Sequence, residues 1–308
     1  MKIVSASPHL HSGNSTQKIM RDVIIAMVPA FAFSVYSFGL SALFVTLLAI
    51  FCCVVFEWAI TKFLLGRKNT ICDLSAVVTG MLLGFNLPSE LSPWLVVVGS
   101  LVAIGVGKMS FGGIGRNPFN PALVGRVFLL ISFPAPMTAF SCDAYSGATP
   151  LGLLKEQGVS ALPELSDMLF GLHGGSLGEV GGLLLLLGGI YLIIRKVITW
   201  HIPVFVLGSM FVFAEAMYLI DPTAAADGLF HLFAGGAMLG AFFMATDYSS
   251  SPMSRKGVII YSVGIGLLTM MIRTWGSYPE GMSFAILIMN AVVPLLNVYC
   301  KPRRFGKK

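Results

Sequence analysis

Charge is what this sequence has least of. Lys, Arg, Asp and Glu make up 11% of its 308 residues, against 56% apolar residues. A soluble domain carries about 25% charged residues. With less than half of that, a soluble fold of this size could not cover its surface. The shortage argues against a soluble enzyme, a disordered chain and a nucleic-acid partner. Cysteine is also scarce. The five cysteines, Cys52, Cys53, Cys72, Cys142 and Cys300, form no CxxC pair and no zinc-spaced Cys/His cluster. Their number is odd, so they read as small packing residues rather than a disulfide framework, and no metal is expected of this chain alone. A Ser-His-Asp set, a paired-carboxylate arrangement and a P-loop are absent as well.

What the sequence has in quantity is long apolar runs, with a mean hydropathy of +0.84. A spanning helix needs about 20 mostly apolar residues. Runs near that length cover 23–39, 41–58, 94–109, 180–194, 202–220, 258–272 and 283–298, and shorter ones cover 74–87, 121–133 and 231–245. The expectation is an all-α polytopic membrane protein with about ten transmembrane helices. The first run lacks a signal-peptide cleavage pattern and more apolar segments follow it, so it reads as a retained helix.

The charges fall into a pattern over those runs. The net charge is +6, from 20 basic and 14 acidic residues. With ten spans, one side collects Lys2, Lys18, Arg21, Lys62, Arg67, Lys68, Lys108, Arg116, Arg195, Lys196, Arg255, Lys256 and the basic tail from Lys301. The other side collects Glu90, Asp143, Glu156, Glu164, Asp167, Glu179, Asp221, Asp227 and Glu280, with Lys155 and Arg273 as its basic exceptions. Basic loops stay cytoplasmic. Both termini are therefore expected in the cytoplasm.

The halves echo each other. Gly-Met-Leu-Leu-Gly at 80–84 matches Gly-Ala-Met-Leu-Gly at 236–240, and Pro93, Gly105 and Gly107 recur as Pro252, Gly264 and Gly266. Five spans per unit would make the two repeats inverted, with the paired short segments marking a site or pathway. The expected layout is an N-terminal segment 1–22, a first repeat 23–133, an external loop 134–179, a second repeat 180–299 and a tail 300–308.

Ser146-Gly147-Ala148-Thr149-Pro150-Leu151-Gly152, in the external loop, is by itself a turn with an exposed hydroxyl. Gly112-Gly113-Ile114-Gly115-Arg116-Asn117-Pro118-Phe119-Asn120-Pro121 opens the fifth span. It has two readings, a helix N-terminus suited to an anion or a tight connection between helices. Arg273 to Gly281 is the matching loop of the second half.

With Ser-Pro-His at 7–9 and Phe-Phe-Met-Ala-Thr-Asp at 242–247, these motifs resemble one family: the D subunit of the Rnf electron-transport complex and, more distantly, the B subunit of the sodium-pumping NADH:quinone reductase. The resemblance covers nearly the whole chain. The short segment before Val23 favours the Rnf side.

The resemblance implies covalent FMN, joined to Thr149 by a phosphoester and installed by a separate flavin transferase. It implies an oxidoreductase complex that moves electrons between ferredoxin and NAD and couples them to Na⁺ or H⁺ translocation. The implied partners are a second FMN subunit, iron–sulfur subunits and further membrane subunits. Ser146, Gly147 and Ala148 would flank the attachment point. Arg273, Trp275 and Tyr278 would contact the flavin or else form an interfacial turn. Arg116, Asn117, Phe119 and Asn120 would hold a second flavin, riboflavin as in the related reductase, or line a cytoplasmic pathway.

Among the intramembrane ionisable residues Glu57, Lys108, Glu215, His231 and Asp247, Glu215 and Asp247 are the ion-pathway candidates. Glu215 has packing as its other reading, and Asp247 a helix-end cap. Inverted repeats alone would also suit a secondary transporter or channel, and covalent flavin separates the two classes.

Overall fold

A computed structural model describes residues 15–66, 70–139, 149–159, 162–171, 174–179, 181–222 and 225–301. Among them there is helix and no strand, as the all-α reading expects. Six helical segments are long and apolar enough to cross a membrane: Thr16–Phe38, Leu40–Leu64, Pro93–Phe111, His201–Ile220, Arg255–Trp275 and Met282–Tyr299. The other four expected runs are shorter or broken. Ser75–Phe85, Pro121–Ser132 and Gly182–Ile194 are apolar helices under 18 residues. The run 231–245 falls in a helix broken into three pieces.

Helix α1 (Thr16–Phe38) begins seven residues before the apolar run. Ser15 caps it by accepting from the Lys18 N–H at 3.3 Å, so its polar first turns extend the helix beyond the 22/23 boundary read from hydropathy. Gly39, at φ +71°, turns the chain into α2 (Leu40–Ala59), which runs on through a π-helical turn to Leu64. Helix α3 (Ser75–Phe85) packs against α2 and is buried on nearly every side. The close approach comes from Gly80, where a Cβ would lie 2.6 Å from the Ile50 Cα. Small residues that bring backbones together are the usual device of helix packing in membranes.

Helix α4 (Pro93–Leu101) continues through a second π turn, and α5 (Pro121–Ser132) follows the glycine-rich loop. The segment expected to be an external loop holds short helices: α6 (Pro134–Thr138), α7 (Pro150–Gln157) and α8 (Leu165–Phe170). A proline at the first turn starts both α6 and α7, where the missing N–H costs nothing. Then come α9 (Gly182–Ile194), packed on α1, and α10 (His201–Ile220), packed on α13 (Arg255–Trp275). Between α10 and α13 lies the broken stretch of α11 (Gly228–Phe233), α12 (Ala237–Leu239) and a π turn over Gly240–Met244. Helix α14 (Met282–Tyr299) completes the bundle.

The outer faces carry exposed Leu40, Phe51, Val212 and Leu219, while charge is drawn inward. Such an exterior suits lipid as solvent, and the backbone groups are satisfied within helices. Lys108, counted above with the loop cations, is 2% exposed and ion-paired with Glu57 inside the bundle.

Candidate functional site

Helix α5 leads from one cavity to another, each mostly apolar with a few polar side chains in its wall. Asn120 at its N-cap lines the first cavity, and Arg126 and Leu130 farther along line the second. At 1.5 Å per residue, Asn120 and Leu130 lie about 15 Å apart along the axis.

The second cavity is small, about 40 Å³, well below the usual size of a site that encloses a small molecule. Thr149 is in its wall, with Tyr278, Glu179, Glu280 and Arg126. Thr149 is the N-cap of α7, its Oγ1 accepting from the Gly152 N–H at 3.1 Å. An N-cap hydroxyl sits where the first N–H groups of a helix are free, a favourable place for a phosphate. Lys155, on the same helix, donates to the carbonyls of Gly276 and Tyr278 and straps α7 to the α13–α14 loop. Ser146, Gly147 and Ala148 lie outside the described residues.

Under Thr149 is a buried charge cluster. Arg126 pairs with Glu280 and donates to Asn86 Oδ1 at 2.6 Å and Ser283 Oγ at 2.7 Å. Glu280 also accepts from the Gly236 N–H at 2.7 Å. Burial works against the Glu280 carboxylate, but Arg126 and the Gly236 N–H hold its pKa below the ordinary value. Glu179, 4% exposed, is pushed the other way: burial, with Glu280 beside it, raises it to about 8. Two buried atoms in this wall, Arg126 Nε and Glu179 Oε2, have no partner among the described residues. A hydroxyl at a helix start beside unmet polar atoms suits a phosphoester on Thr149, but the cavity is too small to enclose a flavin ring, which would lie outside it.

The three residues expected around the flavin separate. Tyr278 lines the cavity and stacks on Phe284. Arg273 is buried and holds backbone: it donates to the carbonyls of His231 at 2.6 Å and Ala234 at 2.8 Å, at the break after α11. Trp275 is 66% exposed and meets Phe213 edge-on.

The first cavity holds about 90 Å³ and opens toward solvent. Asn117, Asn120 and Asp247 line it, with Lys108, Phe242 and Phe243. Asn120 caps α5 at Ala122 N and donates to the Met244 carbonyl at 3.1 Å, tying the broken helix to the fifth span. Burial raises the Asp247 carboxyl, against hydrogen bonds from Ser249, Ser250 and Asn117. Arg116 is exposed, and Phe119 faces an apolar crevice with Phe111 and Leu287. The glycines of this loop serve the turn: Gly112, Gly113 and Gly115 have φ of +106°, +99° and +81°, conformations glycine adopts without cost. Asn117 and Asn120 line this cavity with their amides committed within the protein, while Arg116 and Phe119 face elsewhere.

Glu215 is half-buried, and its Oε2 accepts from the Gly228 N–H at 3.3 Å, at the start of α11. Sequence reasoning passed over Arg126 and the burial of Glu179 and Glu280. The one available signal was a cation inside the apolar run 121–133.

Comparison with known proteins agrees with this architecture. The NQR2, RnfD, RnfE family matches residues 3–306. The chain is 46% identical to the D subunit of the Na⁺-translocating ferredoxin:NAD⁺ oxidoreductase complex of Acetobacterium woodii, over 98% of this chain and 95% of the relative. It is 43% identical to the D subunit of the proton-translocating ferredoxin:NAD⁺ oxidoreductase complex of Clostridium ljungdahlii, over 99% and 96%. Identity to the D subunit of the ion-translocating oxidoreductase complex of Alcanivorax borkumensis is 42%, over 99% and 97%.

Proposed function

The chain belongs to the NQR2, RnfD, RnfE family, and on that premise we propose that it is the membrane subunit of an ion-translocating oxidoreductase, carrying FMN as a phosphoester on Thr149. The complex passes electrons between ferredoxin and NAD and couples the flow to Na⁺ or H⁺ translocation. This subunit is not catalytic alone. Its partners are the iron–sulfur subunits, a second FMN subunit, the other membrane subunits, surrounding lipid, and a flavin transferase during maturation. Ferredoxin and NAD bind elsewhere in the complex.

One observation carries the reading: the Thr149 hydroxyl opens α7 at the wall of a small cavity that Arg126, Glu179 and Glu280 also line. Of that first turn the Leu151 N–H is left for the phosphate, since Pro150 has none and the Gly152 and Leu153 N–H groups donate to Thr149. Arg126, Glu179 and Glu280 lie beside the attachment point, and Tyr278 offers a ring for stacking. Bound there, the flavin supplies one- and two-electron redox chemistry, and the protein holds it and tunes its potential. The first cavity, with Asn117, Asn120 and Asp247 in an apolar surround, is the site of a second flavin, riboflavin.

The topology belongs to the same proposal. Six full-length helices, three short ones and the broken stretch 228–244 make ten crossings in two inverted five-helix repeats. Both termini lie in the cytoplasm and Thr149 faces outward across the inner membrane. The positive-inside pattern and the matching positions of α3 and the broken stretch support this arrangement.

Denaturing electrophoresis tests the cofactor. The band should fluoresce under ultraviolet light in cells with an active flavin transferase, and Thr149→Ala should darken it. Mass spectrometry of the Thr149 peptide should find the mass of FMN less one water. A dark wild-type band would overturn the reading and return the chain to the transporter class.

A further inference from the structure

At the end of α9 the surface changes character within one residue. Leu183, Leu187, Ile190 and Ile194 stand exposed along one face of the helix, three and four residues apart, and Ile194 is 73% exposed. In a membrane that stripe meets hydrocarbon. The next two residues, Arg195 and Lys196, are exposed cations. Trp200, half-exposed, follows in the same connection, and indole rings collect where hydrocarbon gives way to headgroups.

Lys196 holds a backbone conformation that lysine does not favour. Helix α9 closes with two bonds: the Val197 N–H donates to the Leu192 carbonyl at 2.9 Å, and the Lys196 N–H to the Ile193 carbonyl at 3.0 Å. The residue after the cap in this pattern is left-handed and is usually glycine. Here it is Lys196, at φ +56°. Its side chain is kept at a cost in backbone energy, and such a cost points to a use for the side chain.

That side chain lines a cavity of about 170 Å³, against about 40 Å³ beside Thr149. Lys18, from the first turn of α1, is in the same wall with Asp22, Arg195 and Tyr248. Arg195 pairs with Asp22 at 3.1 Å, and the Tyr248 hydroxyl donates to the Val197 carbonyl and steadies the connection. Among the lining residues three cations therefore share one carboxylate. The excess positive charge calls for an anion, and phosphate oxygens accept strong hydrogen bonds from ammonium and guanidinium groups.

We infer that this cavity binds the phosphate of an anionic phospholipid, with Lys18, Arg195 and Lys196 around the headgroup and an acyl chain along the exposed stripe of α9. A free phosphate would use the same cations but not the apolar stripe that runs up to them, so the lipid is the occupant this surface fits. Basic pockets between spanning helices at the cytoplasmic surface hold anionic headgroups in this way. The inference uses the membrane placement of the chain and not the flavin on Thr149.

The test uses the purified whole complex, stripped of lipid in a neutral detergent and titrated with phosphatidylglycerol, phosphatidylcholine or inorganic phosphate. Native mass spectrometry counts what each complex retains. Wild type should retain phosphatidylglycerol in preference to the other two. Lys196→Gln removes the charge and keeps the left-handed backbone, whereas Lys196→Gly removes the charge and relaxes it. Both should bind phosphatidylglycerol about fivefold more weakly, the worth of one basic charge at a lipid surface. With Lys18→Gln added the loss should reach about twenty-five-fold, while Lys196→Arg should bind as wild type does. The Asp22–Arg195 pair is left intact in every variant. Equal retention of phosphatidylglycerol by wild type and the double variants overturns the inference. So does a site that takes inorganic phosphate and not the lipid. A double variant that keeps its lipid but loses a neighbouring subunit makes the surface a protein contact and overturns it too. None of these results bears on Thr149, which the fluorescence of the denatured band decides.

Discussion

Replacing Lys108 with methionine tests how this protein holds charge inside its bundle. Lys108 Nζ lies 2.5 Å from Glu57 Oε2 and 2.7 Å from Ser75 Oγ, and the Thr70 hydroxyl donates to Glu57 Oε1 at 2.8 Å. The two charged side chains are 3% and 1% exposed. The contacts join α2, the start of α3 and the chain after α4. Lys108→Met keeps most of the volume and removes the counter-charge, so Glu57 is left as a buried carboxylate with one donor. Breaking such a pair costs about 3–5 kcal/mol, or about two to three and a half powers of ten in the folding equilibrium. Removing both charges is different. The double variant Lys108→Met with Glu57→Gln has no buried charge left, and should lie within about 1 kcal/mol of wild type, because a buried pair gains little over neutral packing. Unfolding of a membrane protein in detergent is commonly irreversible, so the readout is the half-life at a fixed temperature near the transition. The expected order is wild type and double variant together, with the single variant far shorter-lived. If the single variant matches wild type, or the double variant is as short-lived as the single, the argument from an uncompensated charge fails.

Three other outcomes follow from the packing. Gly80→Val should separate α2 from α3, because its side chain meets the Ile50 backbone, which cannot swing aside. The expected loss is about 1–3 kcal/mol or more for overpacking, read as a shortened half-life, and a wild-type half-life would count against the close approach. Arg273→Lys keeps the charge but cannot bridge the carbonyls of His231 and Ala234 with a planar fork. It should cost about 1–3 kcal/mol for the carbonyl left bare, and proteolysis should find new cleavage near 231–236. Glu179 should make stability depend on pH. Its folded pKa is raised from 4.5 to about 8, so folding takes up a proton between those values. Its contribution is full below about pH 4.5, falls as pH rises through the window, and is gone above about pH 8. Glu179→Gln should flatten that part of the stability–pH curve, and an unchanged slope would show that Glu179 is not the group responsible.

Cap residues explain the shifted helix starts. Hydropathy sees where apolar residues begin, whereas a helix begins where an N-cap satisfies free N–H groups. That is why α1 starts at Ser15 and Thr16 rather than Val23, and why helices occupy the stretch between Pro134 and Glu179. The site was legible unevenly. Thr149 could be picked out from a motif because its neighbours in sequence mark it. The charges around it stand at 126, 179, 273 and 280, and no spacing rule joins those numbers. Counting loops by charge also placed Lys108, Glu179 and Glu280 among surface residues, because one-dimensional counting cannot tell a loop cation from a paired one.

The sequence by itself determined the solvent of this protein. A chain with 11% charged residues and a succession of apolar runs can satisfy its surface in lipid and not in water. It also determined that the chain is helical, since only helices of this composition can meet their own backbone hydrogen bonds there. The tertiary structure decided which polar residues meet. It brought Thr149, Arg126, Glu179 and Glu280 around one cavity, and turned Arg273 and Glu215 onto the backbone of a broken helix. The physical reason is that burial makes every unpaired charge costly. The fold places most of them beside a partner, and the one fully buried carboxyl oxygen without a partner among the described residues belongs to Glu179, in the wall that Thr149 shares.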